Sequence, residues 1–224
     1  YLLGLNNGTA FIDITDPEAP VYLGKLPTHA GTSNTWRDVR VYQNHAYIVS
    51  EQSGHGMQVF DLTQLRSVAS PPATFTETAF YDKVSNTHTI SINEATGYAY
   101  LVGTTGTGGN PNVQTCGGNL HIVSLASPAS PQFVACYNDG GYIHENQRFV
   151  YHGPDTTYTG HEICLAARGG AHNIDLIDVT NHAAPVRIKS LHYNGNGYSH
   201  QAWFTDDQRY ILLNDELDEQ NVGN

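Results

Sequence analysis

The sequence predicts an all-β protein, a β-propeller built of blade repeats of about 50 residues, and three observations carry that prediction. Composition is the first: the 224 residues include 22 Gly, 10 Pro and 14 Tyr but one Met. Such a mix suits short strands joined by tight turns. The second is period. Apolar stretches such as "HAYIVSE", "GYAYLVG" and "RYILLND" alternate Tyr, Val and Ile and are bounded by turn residues, a strand pattern and not a helical one. The third is internal repetition, and it orders the elements along the chain.

One landmark is an apolar strand that ends in a turn: "AFIDITDPEAP" (10–20), "QVFDLTQ" (58–64), "LHIVSLASPASP" (120–131) and "DLIDVTNHAAP" (175–185). Its equivalent positions are Asp13, Asp61, Ser124 and Asp178, at spacings of 48, 63 and 54. In three of the four copies a proline closes the turn, removing a backbone donor and stopping the strand. A second landmark follows each first one: "WRDVRV" (36–41), "THTISI" (87–92), "IHENQRF" (143–149) and "SHQAWF" (199–204). Its key positions are Asp38, His88, His144 and His200, spaced by 50, 56 and 56. Gly141-Tyr142-Ile143-His144 also matches Gly197-Tyr198-Ser199-His200. A sandwich needs no such period, and solenoids repeat over shorter lengths. The units fall at 1–35 (partial), 36–86, 87–141, 142–197 and 198–224 (partial), four to five blades of one propeller domain or a fragment of it. The abrupt start "YLLGLNNGTAFIDITD" reads as an internal piece or a mature fragment.

A net charge of −11 repels phosphate backbones and attracts divalent cations, so nucleic acid is not an expected partner. No apolar run is long enough for a membrane-spanning helix. Cys116, Cys136 and Cys164 form no CxxC pair, which excludes a zinc ribbon or thioredoxin-type motif. Cys116 and Cys136 flank one predicted hairpin; a disulfide between them and three buried thiols are both open readings.

The segments "WRDVRVYQNHAYIVSE", "HGMQVFDLTQLR", "HTISINEATGYAYLVG", "GPDTTYTGHEIC", "IDVTNHAAP" and "SHQAWFTDDQRYILLNDELDE" are spread over nearly the whole chain. On these the chain resembles the choice-of-anchor B family, propellers with LVIVD repeats. The resemblance implies exported bacterial or archaeal surface proteins, sorted by differing C-terminal anchors, with no established catalysis. It implies a propeller longer than this chain. It further implies a cysteine shortly after the third-copy histidine; Arg148 stands in "HENQRF" here, which leaves Cys164 without that partner.

Three groups of residues have chemistry to offer. Asp38, His88, His144 and His200 occupy equivalent positions, so as inner-strand residues they would ring one mouth of the channel. There they suit a transition metal or an anionic ligand, or hydrogen bonding within each blade. Asp215, Glu216, Asp218 and Glu219 follow the strand "YILLN"; carboxylates this dense suit a hard cation, Ca²⁺ above all, with a solvated acidic turn as the plain alternative. In "YHGPDTTYTGHEI" (151–163), His152, Asp155, His161 and Glu162 are polar groups beside tyrosines that suit a metal or a sugar, although decorated turns look the same. The Gly-rich "GTTGTGGNPN" opens no helix and lacks the Walker lysine, and neither HExxH nor GxSxG occurs. The expected function is therefore an extracellular or cell-surface binding module, stabilised by Ca²⁺, for a protein or glycan partner or for self-assembly. The alternative is a metal-dependent hydrolase or lyase built on the histidine ring.

Overall fold

Why alternating sequences hold together as strands here is answered by what covers their two faces. The structure, a computed structural model, describes residues 1–31, 33–194, 197–218 and 220. Its first sheet contains β1 (Leu2–Leu5), β2 (Gly8–Asp13) and β3 (Val21–Pro27). The second contains β4 (Arg37–Tyr42), β5 (His45–Ser50) and β6 (Met57–Asp61). Next in the chain, β7 (Ala73–Thr74) returns to pair in parallel with β3, and β8 (Ala79–Tyr81) completes the second sheet against β6. The third sheet runs β9 (Thr89–Asn93), β10 (Tyr98–Val102), β11 (His121–Ser124) and β12 (Gln132–Cys136). The fourth runs β13 (Glu145–Val150), β14 (Glu162–Ala167), β15 (Asn173–Asp178) and β16 (Val186–His192), and β17 (Ser199–Phe204) pairs with β18 (Ile211–Asp215).

Apart from β7 these are antiparallel meanders stacked side by side, the blades of a β-propeller. The inner strands β4, β9, β13 and β17 are neighbours in series. Successive residues of each middle strand point to opposite blades. In β10, Ala99 and Leu101 join the core shared with the second sheet, while Tyr100 and Val102 join the core shared with the fourth. In β5, Ala46 and Ile48 face the first sheet, and Tyr47 and Val49 the third. In β14, Cys164 and Ala166 face backwards and Leu165 forwards. A strand buried on both faces reads as a near-continuous apolar run, as "AYIVS" and "AYLVG" do.

The first landmark has a local cause. Asp13, Asp61, Ser124 and Asp178 each end their strand. Each side chain accepts the backbone N–H two residues on, from Thr15, Thr63, Ala126 and Thr180. This side-chain turn mimics a backbone turn and reverses the chain without another strand partner. A one-residue bulge precedes the landmark at Phe11/Ile12, Ile122/Val123 and Leu176/Ile177. By the bulge β2 corresponds to β11 and β15, and by the landmark Asp61 also to β6, so the first sheet begins at the middle-strand position with β1.

Cys116 and Cys136 are joined by a disulfide, with Cα atoms 5.2 Å apart, and it ties the turn before β11 to the end of β12. Cys164 is a buried free thiol whose pKa burial pushes up to about 12. Closing a 20-residue separation in the unfolded chain predicts that the pair Cys116→Ser/Cys136→Ser loses about 3 kcal/mol in urea denaturation. An unchanged midpoint would rule out a stabilising role for the bond.

Candidate functional site: a histidine row at the inner strands

The register of the inner strands decides which side chains share one level. Arg37 stands opposite Ser50. One step before the pairs Thr89–Val102 and Glu145–Ala167, His88 and His144 stand opposite Gly103 and Arg168. His200 lies in the bulge between Ser199 and Gln201 of β17. The histidines thus occupy one level and the residue matching them in the second sheet is Arg37. Asp38, aligned with them by sequence, is one step off. Its carboxylate accepts the N–H groups of Val39 and Ile90 and pairs with Arg40 at 2.5 Å, stapling β4 to β9 instead of joining the row.

The three rings follow one another, with centroids 4.2 Å apart for His88–His144 and 4.9 Å for His144–His200. Room for the first comes from Gly103 (φ +77°), where a Cβ would stand 2.5 Å from the His88 Cβ. Each ring is oriented the same way. Nδ1 of His88 meets Glu51 Oε1 at 2.6 Å, Nδ1 of His144 meets the His200 carbonyl at 3.0 Å, and Nδ1 of His200 meets Asn214 Oδ1 at 2.8 Å. An acceptor at Nδ1 fixes an N–H there and leaves Nε2 for a further partner. Burial, reinforced by the neighbouring imidazoles, lowers the His144 pKa and keeps it neutral. The Tyr198 ring meets His144 edge-on at 5.0 Å.

The carboxylates after β18 separate by role. Asp215 Oδ1 accepts the N–H groups of Tyr198 and Leu217, and Oδ2 accepts the Tyr193 hydroxyl at 2.5 Å. With these bonds it organises the loop. Glu216, tied by its N–H to the Tyr198 carbonyl at 3.0 Å, reaches the row: Oε2 lies 4.0 Å from His200 Nε2. Ligand atoms of His144, His200 and Glu216 lie within 4.8 Å of one another. Among the described residues, Asp215, Glu216 and Asp218 form no such group together, and Glu219 lies outside the described residues. Cys116, His121 and Cys136 are also close, but the two sulfurs are bonded to each other.

The residues singled out in 151–163 are dispersed. His152 reaches across to the Asp206 carbonyl, and Asp155 caps the short turn at Thr156–Tyr158. His161 donates to Asp178 at 2.7 Å on one side of β14. Glu162, buried, takes the Tyr100 hydroxyl at 2.7 Å and meets His182 at 2.9 Å on the other. Every one of these groups is occupied with holding loops or blades. Deeper between the inner strands lies a cavity of about 150 Å³ lined by Arg40, Glu145, Arg148, Gln201 and Trp203 among others. Glu51, Arg37 and Arg168 were not signalled by the sequence. The Gly-Tyr-x-His shared by the third and fourth copies contains Tyr142 and Tyr198 without marking a role for either.

No protein-family model matches the chain, and no curated protein does. Solved structures do match in fold. One is a functionally unknown protein from Desulfotomaculum acetoxidans, with TM-score 0.61 and 12% identity over 96% of this chain and 58% of that one. A Lactobacillus plantarum protein matches with TM-score 0.59 and 14% identity over 94% of this chain and 55% of its own. A periplasmic gluconolactonase of Pseudomonas aeruginosa matches with TM-score 0.55 and 8% identity over 94% and 58%. At such identities the likeness is one of fold. The chain spans a little over half the length of each of them. Among the described residues no helix is long and apolar enough to cross a membrane.

Proposed function

We propose that this protein is an exported propeller module that binds a glycan at the mouth formed by His88, His144 and His200. The observation that carries the reading is the shared orientation of the three rings, each held at Nδ1 and each presenting Nε2. The wholly buried His55 and His121 have both ring nitrogens bonded, whereas His144, 7% exposed, is bonded at Nδ1 alone. Tyr142 and Tyr198 lie half-buried beside the row, and tyrosine rings are suited to packing on a sugar. Export is supported by the Cys116–Cys136 disulfide, which persists in oxidising compartments, and agrees with the resemblance to surface-anchored propellers.

The test is a glycan array probed with the purified chain and with His88→Ala/His200→Ala, paired with a thermal melt of each. Binding by the parent that the variant loses, with the melting temperature kept within a few degrees, supports the reading. Equal binding by both moves the site elsewhere, and no binding by either removes the glycan. A hydrolytic enzyme is the second reading, favoured by the two imidazoles and one carboxylate that converge with space between them. Lactone and ester substrates decide it, since turnover abolished in the same variant makes the mouth catalytic.

A further inference from the structure

We propose that the mouth holds one divalent transition-metal ion, bound by Nε2 of His144, Nε2 of His200 and the carboxylate of Glu216, with an open coordination position facing the channel. The inference deepens the reading of the mouth as a ligand site and rests on it. Three features support it independently of sequence spacing. One ligand atom from each of the three side chains already lies within 4.8 Å of the others, and His200 Nε2 is 4.0 Å from Glu216 Oε2. Tetrahedral ligands about 2.1 Å from zinc stand about 3.4 Å apart, so closure requires the donors to move inwards by about 1 Å. Glu216 is exposed and its side chain can turn to supply most of that movement.

The second feature is the shell behind the donors. His144 gives its Nδ1–H to the His200 carbonyl and His200 gives its own to Asn214, the arrangement that orients metal-bound imidazoles and raises their basicity. Asp215 acts as a positioning residue: by gripping the Tyr198 and Leu217 N–H groups it sets the backbone from which Glu216 projects. The third is electrostatic. One anionic ligand within a chain of net charge −11 favours a dication, and two imidazoles select a borderline metal such as Zn²⁺ or Co²⁺ over Ca²⁺. Three protein ligands leave a vacant position, where a sugar hydroxyl or a carboxylate would bind with His88 Nε2 nearby.

Titrating the full chain with Co²⁺ alone, followed by visible absorption and then by competition with Zn²⁺, tests this. One equivalent is expected to bind with the intense bands of a four- or five-coordinate ion. Glu216→Gln, an exposed change, should weaken binding by at least about tenfold, and His200→Ala by more, while His192→Gln leaves it unchanged. Melts of all variants confirm that they fold. No saturable binding by the parent, or equal affinity in Glu216→Gln and His200→Ala, overturns the proposal. If metal fails to bind but the array still shows a glycan lost on His88→Ala/His200→Ala, the metal falls and the ligand site stands. If metal binds as expected and the array shows no glycan, the metal site stands and the glycan falls.

Discussion

Replacing Arg168 by alanine is expected to cost about 3–5 kcal/mol of stability, roughly 10 °C in melting temperature for a chain of this length. The guanidinium is 2% exposed, and the Asp175 carboxylate it pairs with is fully buried. Nε and Nη2 donate to Asp175 Oδ2 at 2.9 and 2.6 Å. Nη1 reaches Asn119 Oδ1 at 3.0 Å and the Gly141 carbonyl at 2.6 Å, and Nη2 also reaches the Asp139 carbonyl at 2.7 Å. One side chain at the end of β14 therefore closes the third blade onto the fourth. Alanine leaves a buried carboxylate whose nearest remaining cation, Arg187, is 3.7 Å away and partly in solvent. It also strands three oxygen acceptors. Arg168→Lys keeps the charge without the planar fork and should recover only part of the loss. The double change Arg168→Met/Asp175→Leu removes both charges and should cost less than Arg168→Ala alone. Urea denaturation of the three variants orders them; a loss under about 1 kcal/mol for Arg168→Ala would show that the buried pair does not hold the blades together.

Arg168 also shows where sequence reasoning stops. Three of its partners lie 49, 27 and 29 residues away, and no local pattern marks a residue that reaches from one blade to the next in this way. By contrast Asp13, Asp61, Ser124 and Asp178 were legible because each makes its turn with a residue two positions on, chemistry that the local sequence contains in full. The apolar runs of β5, β10 and β14 were legible for a similar reason, since burial on both faces demands them. The histidine row lies between these cases. Recurrence identified His88, His144 and His200, but register is set by pairing with the middle strand, which the spacing of 50 between Asp38 and His88 does not contain. That is how Asp38 was placed a step away from Arg37. Glu216 was visible as one of four carboxylates. Its separation from Asp215 depends on adjacent residues facing opposite ways at the end of β18, where Tyr193 and Tyr198 claim one of them. In the 151–163 loop, turn-forming Asp and His look the same in sequence as metal-binding ones, so both readings stood open there.

Acidification from pH 7 to pH 4 is expected to remove about 6 kcal/mol of stability through two histidines that have no part in the mouth. His55 is buried, accepts Arg37 Nη1 at Nε2 (2.7 Å) and donates Nδ1–H to the Gly56 carbonyl (3.0 Å). His121, also buried, accepts the Tyr81 hydroxyl at Nε2 (2.7 Å) and donates Nδ1–H to the Gln114 carbonyl (2.9 Å). In both rings the neutral form satisfies every bond. A second proton would confront the Arg37 guanidinium in one case and displace a phenol in the other. Burial accordingly lowers each pKa to about 4, helped at His55 by the Arg37 charge. The sign follows: between an unfolded value near 6.5 and a folded value of about 4 the unfolded chain takes up protons that the folded one refuses. Stability is then full above pH 6.5 and falls towards pH 4, by about 3 kcal/mol for each histidine. Asp38 and Glu145 oppose this, because burial raises their pKa values and their protonation favours the folded state as pH falls. Urea midpoints at half-unit intervals between pH 7 and pH 4 give the net slope. His121→Gln, which keeps a donor and an acceptor without a titrating ring, should flatten about half of the fall attributed to the pair. A slope that is the same in His121→Gln and in the parent protein down to pH 4.5 would show that His121 is not held neutral by its surroundings.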